Sequence, residues 1–127
     1  MSELKHAIAA DRLSKVYQQA ASDTALPPEA TCLLMSAAIE KAIESIFWCN
    51  ALTPPNRDQA LFIFTEKFVL NGGFPRGIEK EIGTLYRMRD GVADLKEDGG
   101  IQIAKKVLKE LHRTVKAWLI EKSQDVK

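Results

Sequence analysis

The sequence predicts an all-α fold, an antiparallel up-and-down bundle of four long helices with a fifth packed alongside. Three observations predict it. Apolar residues recur at helical spacing through most of the chain, and nothing alternates with the period of a strand for more than a few residues. The helical runs are separated by short breaks rich in proline or glycine, and short connections make neighbouring helices mostly antiparallel. At 127 residues the chain suffices for one domain with a core of its own.

The first helix is expected over residues 3–21, with Leu13, Val16, Tyr17 and Ala20 as its apolar stripe and Lys5, Asp11, Arg12 and Lys15 toward solvent. Ser22-Asp23-Thr24 and Pro27-Pro28 stop it and restart the chain, since proline is pre-set for the first helical position. The second, 28–51, is apolar around most of its circumference and is interrupted only by Glu40, Lys41, Glu44 and Ser45. Such a helix is central in a bundle or lies at an oligomer interface. Its Cys32 and Cys49 stand about 25 Å apart, too far to pair, and read as small core fillers.

Thr53, as an N-cap before Pro54, is expected to open a third helix over 54–71. Leu61, Phe64, Phe68 and Val69 form its face, widened by Phe62 and Ile63, and Asn71-Gly72-Gly73 stops it. That glycine turn lacks the spacing of a phosphate-binding loop, and no strand precedes it. The fourth helix, 76–96, places Ile78, Ile82, Leu85 and Val92 on one face and holds Gly83 and Gly91 in its interior. Each glycine there implies close packing or a local irregularity. The fifth, 101–122, buries a stripe of Ile101, Ala104, Leu108, Leu111, Val115 and Trp118, and residues 123–127 form a frayed tail.

The net charge of +1 supplies no global pull toward nucleic acid or membrane, so any such binding must come from a local patch. No apolar run approaches the length that spans a bilayer, and the N-terminus has no signal-peptide core. A reducing cytoplasm is the expected compartment. Neither cysteine has a histidine or carboxylate cluster at ligand spacing, so no metal and no cofactor is predicted.

Arg89 is the most informative residue, because it falls inside the apolar stripe of the fourth helix. A guanidinium stays charged at any ordinary pH, so an inward arginine needs a carboxylate, a water-filled cleft or a ligand phosphate, unless its stem snorkels past the edge of the core. Tyr86, Arg89, Asp90 and Asp94 are therefore candidate cleft residues, with Asp90 or Asp94 as counter-charge. The plainer reading pairs Asp90 with Arg87 on the helix surface. On the last helix Lys105, Lys109, Arg113 and Lys116 make a basic ridge, either a solvated face or a track for a phosphate backbone. No aromatic residue is interleaved with it to stack on bases. His112 flanks the core stripe of that helix as a half-buried surface residue, and no nucleophile–base–acid arrangement stands out.

From about Glu29 to Glu121 the chain resembles the small stand-alone HEPN domains of bacteria and archaea. The resemblance rests on Phe64-Thr65-Glu66-Lys67-Phe68-Val69-Leu70-Asn71-Gly72-Gly73, on Leu85-Tyr86-Arg87-Met88-Arg89 followed by Ala93-Asp94-Leu95, and on the alanine-rich stretch from Thr31 to Phe47. It implies a helical bundle that dimerises, and a partner such as a nucleotidyltransferase or an RNA or nucleotide ligand. Active members are metal-independent ribonucleases whose motif is an arginine, four to six residues, then a histidine. Arg89 matches the arginine, whereas Asp94 occupies the histidine position and cannot act as an imidazole near neutral pH. The resemblance so implies a non-catalytic binding domain. The alternatives are a weak ribonuclease using Arg89 with Asp94, and a purely structural helical interaction module.

Overall fold

A computed structural model describes residues 2–91 and 99–125. They form five α-helices, α1 (Ser2–Ala21), α2 (Pro28–Cys49), α3 (Arg57–Phe64), α4 (Ile78–Arg89) and α5 (Gly99–Asp125), and a π-helical turn, Thr65–Val69, that continues α3. No strand occurs among the described residues. None of the described helices is long and apolar enough to cross a membrane.

The greasiest helix is the central one. α2 packs against α1, α3, α4 and α5, and its Met35, Ile39, Ile43, Ile46 and Phe47 are all buried. They meet Phe64 from α3, Ile82 and Leu85 from α4, and Val107, Leu108, Leu111 and Val115 from α5 in one apolar cluster. Cys32 and Cys49 are free and buried within it, as core fillers should be. Burial pushes the Cys49 thiol up to about 12, which leaves almost no thiolate for chemistry.

Of the stripe expected on α1, only Tyr17 packs against the core; the rest faces outward. Ala7, Ala10, Asp11, Ser14 and Ala21 are buried, whereas Leu13 is 37% and Val16 56% exposed, and Ala20 is exposed too. The reason lies in the partner. α2 already supplies bulky side chains, so α1 contributes small ones and the two backbones approach closely. Ser14 donates its hydroxyl hydrogen to the Ala38 carbonyl at 2.6 Å, and Ser45 donates to the Ala7 carbonyl at 2.8 Å. These two crosslinks run in antiparallel register. Asp11, expected in solvent, is only 6% exposed.

The third helix starts later than its cap signal. Asn56, not Thr53, is the N-cap, its side chain accepting from the Gln59 N–H at 3.2 Å. Pro54 and Pro55 hold the residues before them extended, so the helix cannot open until both are passed. Leu70 donates its N–H to the Thr65 carbonyl at 3.0 Å, one residue beyond α-helical reach. That extra residue aligns Phe64 with Val69, both fully buried, and leaves Phe68 packed edge-on against Phe47 at 5.2 Å. The expected stop follows. A side chain at Gly73 would collide with the Phe68 carbonyl oxygen at 2.7 Å, so only glycine fits.

α4 ends at Arg89, because Gly91 adopts a φ of +78°. Gly91 is thus the predicted irregularity, and the expected helical continuation to residue 96, including Val92, lies outside the described residues. Gly83 marks no close approach: a methyl there would meet nothing nearer than 3.7 Å. The stripe of α5 is buried as expected at Ala104, Leu108, Leu111 and Val115, with Val107 added; Ile101 is 37% exposed and Trp118 half-buried.

Candidate functional site

Two charged constellations are candidates, and they differ in how much of their charge is already spent. The first surrounds Arg89. Its side chain is 13% exposed, so the guanidinium is withdrawn from bulk solvent rather than snorkelled into it. Nε donates to Asp90 Oδ1 at 3.0 Å, and Nη2 reaches Asp90 Oδ2 at 3.5 Å. Nη1 donates to Glu40 Oε1 of α2 at 2.5 Å. The same Glu40 oxygen accepts from Arg57 Nε at 3.1 Å, and the guanidinium carbon lies 4.5 Å from the centre of the Tyr86 ring. Asp90 therefore pairs with Arg89, whereas Arg87 donates to Thr84 at 3.1 Å.

Burial opposes the Arg89 charge, but the hydrogen bonds and charges of Asp90 and Glu40 outweigh it and raise the pKa further. The hydrogen bond from Arg89 holds the Asp90 carboxyl below the usual carboxylate range. Burial, aided by the charge of Glu40, raises the Tyr86 phenol well above its ordinary value. Two cations and two carboxylates thus balance, and each guanidinium nitrogen of Arg89 faces a carboxylate. A cleft of about 190 Å³ bordered by Glu40, Arg57, Phe47 and Tyr86 adjoins this network. Asp94 lies outside the described residues. Glu40 is the member sequence reasoning missed; it stood there only as an interruption of an apolar helix. Its signal was the same as that of Arg89, a charge on a helix otherwise committed to the core.

The second constellation gathers the basic ridge. Lys105, Lys109, Arg113 and Lys116 all line one open groove of about 1000 Å³ between α5 and the corner joining α1 to α2. Lys15 and His112 line it as well. Lys15 pairs with Asp11 at 3.0 Å, and Arg113 with Glu110 at 3.4 Å. Lys105, Lys109 and Lys116 have no partner among the described residues, while Lys106 faces away and pairs with Glu81 at 3.7 Å. Asp23 is the single carboxylate among the lining residues, and its Oδ1 already accepts from the Ala25 N–H at 2.9 Å. Pro28 and Thr31 bring the N-terminus of α2, the positive end of its dipole, to the same wall. The floor is apolar, from Leu26, Met35 and Ile101.

His112 joins the groove to the core. It is half-buried, as expected, and its Nε2 lies 2.8 Å from Ser14 Oγ. Burial and the nearby charge of Lys15 lower its pKa, against a contribution from Asp11 in the other direction. One Asp11 oxygen, Oδ1, is buried without a hydrogen-bond partner. Among the described residues, no group of three or more histidines, cysteines and carboxylates gathers to hold a metal ion. Comparison with the models of known protein families, with curated proteins and with solved structures finds no match.

Proposed function

We propose that this chain is a non-catalytic, HEPN-like helical domain, an up-and-down bundle acting as a homodimer, and that it binds RNA along the groove of α5. The observation that carries the reading is the distribution of unspent charge. Three lysines without partners converge on one open groove with a single carboxylate in its wall. Arg89, by contrast, has every guanidinium nitrogen turned to a carboxylate, which favours a structural role for it over phosphate binding. Along α5 the four ridge cations occur at i, i+4, i+8 and i+11, a row suited to following a phosphate backbone. With no phenylalanine, tyrosine or tryptophan lining the groove, recognition is electrostatic and tolerant of sequence. The two free, buried thiols suit a reducing cytoplasm.

Dimerisation in this reading uses the outward face of α1. Ala9, Leu13, Val16 and Ala20 follow the 4-3-4 spacing of a coiled-coil seam and are all exposed. In an antiparallel pair Leu13 meets Val16 of the second copy, and Ala9 meets Ala20. The apolar breadth of α2, by comparison, is taken up within the fold.

The test is fluorescence anisotropy with a labelled single-stranded RNA over a range of salt. Three or more phosphate contacts give a slope of log affinity on log salt of about −2 or steeper. Replacing Lys105, Lys109 and Lys116 together by glutamine should flatten that slope and weaken binding by about tenfold or more at low salt. Unchanged binding by the triple variant would remove the groove from consideration. Incubation with total RNA addresses the ribonuclease alternative: no cleavage is expected, and cleavage that Arg89→Ala abolishes would establish that alternative instead.

A further inference from the structure

The hydrogen bonds around His112 fix which of its nitrogens can serve a ligand. Ser14 has one hydroxyl hydrogen, and at 2.6 Å from the Ala38 carbonyl it is spent there. The 2.8 Å contact between Ser14 Oγ and His112 Nε2 must then have the imidazole N–H as donor. Neutral His112 so carries its hydrogen on Nε2, turned toward α1, and keeps a bare lone pair on Nδ1. A lone pair repels an anionic oxygen, yet the residue lines the cationic groove.

We propose that His112 is a ligand contact of this groove that engages a phosphate oxygen only after taking a proton on Nδ1, so that binding of a phosphodiester draws one proton from solvent. The inference rests on the RNA-binding reading above. The charged surroundings of the ring account for the coupling. From α1 come Lys15 and the buried Asp11, whose Oδ1 has no partner. From the corner between α1 and α2 comes Asp23; α2 itself contributes the uncharged Thr31 and Met35. On α5 stand Lys105, Lys109, Lys116, and Arg113 paired with Glu110. Without a bound polyanion, burial and Lys15 hold the ring's pKa below the ordinary histidine value, against the opposing pull of Asp11. A bound polyanion cancels the cationic field, Asp11 then stabilises the imidazolium from behind, and Nδ1 changes from acceptor to donor. No other bond is made or broken. By linkage, affinity rises as pH falls from the bound-state to the free-state pKa of His112, by about tenfold per unit of separation, and is flat outside that window.

The experiment uses calorimetry with a short oligouridylate lacking a terminal phosphate, whose own charge is constant across the window. Titrations in two buffers of different ionisation enthalpy count the protons taken up. The wild-type protein should take up close to one proton near the ordinary histidine value of about 6.5 and bind more tightly below it. His112→Gln, which keeps an N–H donor for Ser14, should bind with no uptake and no pH dependence. Salt-sensitive groove binding with neither proton uptake nor pH dependence in the wild type would overturn this inference and leave the RNA-binding reading standing. An absence of binding at every pH would remove both. If the variant does not fold, the ring resonances of the wild type decide. The chain has two histidines, so His6→Gln assigns them; the His112 pKa must rise on addition of RNA, and an unmoved value refutes the coupling.

Discussion

At the scale of single residues, the charges that look alike in sequence separate by what already compensates them. Arg89 and Lys109 are both cations on helices whose other faces are apolar. The first is held by Glu40 and Asp90, the second by nothing described. Removing Arg89 leaves the half-buried Glu40 with Arg57 as its remaining partner, so Arg89→Ala should cost about 1–3 kcal/mol in urea denaturation and leave RNA affinity within about twofold. A loss below about 0.5 kcal/mol would return Arg89 to the status of a surface residue. His112 sets a pH dependence of opposite character to that of a paired base. Its folded pKa is depressed, so the unfolded chain binds the proton more readily. Stability is full above the unfolded value of about 6.5 and falls as pH drops toward the folded value. Denaturation midpoints at about pH 7.5 should exceed those at about pH 5.5, and His112→Gln should remove most of the difference. The inward setting of Arg89 was legible in the sequence, because a charge in an apolar stripe demands compensation. The identity of Glu40 was not, because periodicity places a residue on a face without saying which helix lies opposite.

At the scale of elements, legibility followed side-chain size. The stripe of α5 reads correctly because α5 contributes the large residues of its own interface, such as Leu108, Leu111 and Val115. That of α1 inverts because α1 contributes alanines and a serine to a close approach, leaving its bulkiest aliphatic residues outside. Substitution distinguishes the two faces. Val16→Lys should change monomer stability by no more than about 0.5 kcal/mol, whereas Ala10→Leu should cost about 1–3 kcal/mol through overpacking against α2. The reverse order would restore the face that periodicity predicts. The start of α3 was the less legible boundary, because two successive prolines delay it past its apparent cap. The π turn at Thr65–Val69 has no sequence signature, since it is set by the need to bury Phe64 and Val69 together. Gly83 offers a simpler check. With only ordinary van der Waals contacts awaiting its missing methyl and a helical position, Gly83→Ala should stabilise the protein by about 0.5–1 kcal/mol by thermal denaturation; destabilisation would reveal a close approach at that point.

At the scale of the whole molecule, a chain of almost no net charge concentrates unpaired cations on one groove and leaves an apolar seam on α1. The seam predicts association, so sedimentation should find a dimer that Val16→Glu converts to a monomer without unfolding it; a wild-type monomer at high concentration would exclude that interface. The groove carries the functional account, and the basic ridge that forms it was visible in the sequence as a spacing. Its opposite wall, from Ser22 to Met35, was not, because only the packing of α2 against both α1 and α5 brings that corner across from the lysines. The most direct test is an NMR titration of the isotope-labelled protein with single-stranded RNA. Resonance shifts are expected at Lys105, Lys109, His112, Arg113 and Lys116 and along residues 22–31, with Tyr86 to Asp90 undisturbed. Shifts confined to Tyr86, Arg89, Asp90 and Glu40, with the groove unmoved, would contradict RNA binding in the groove.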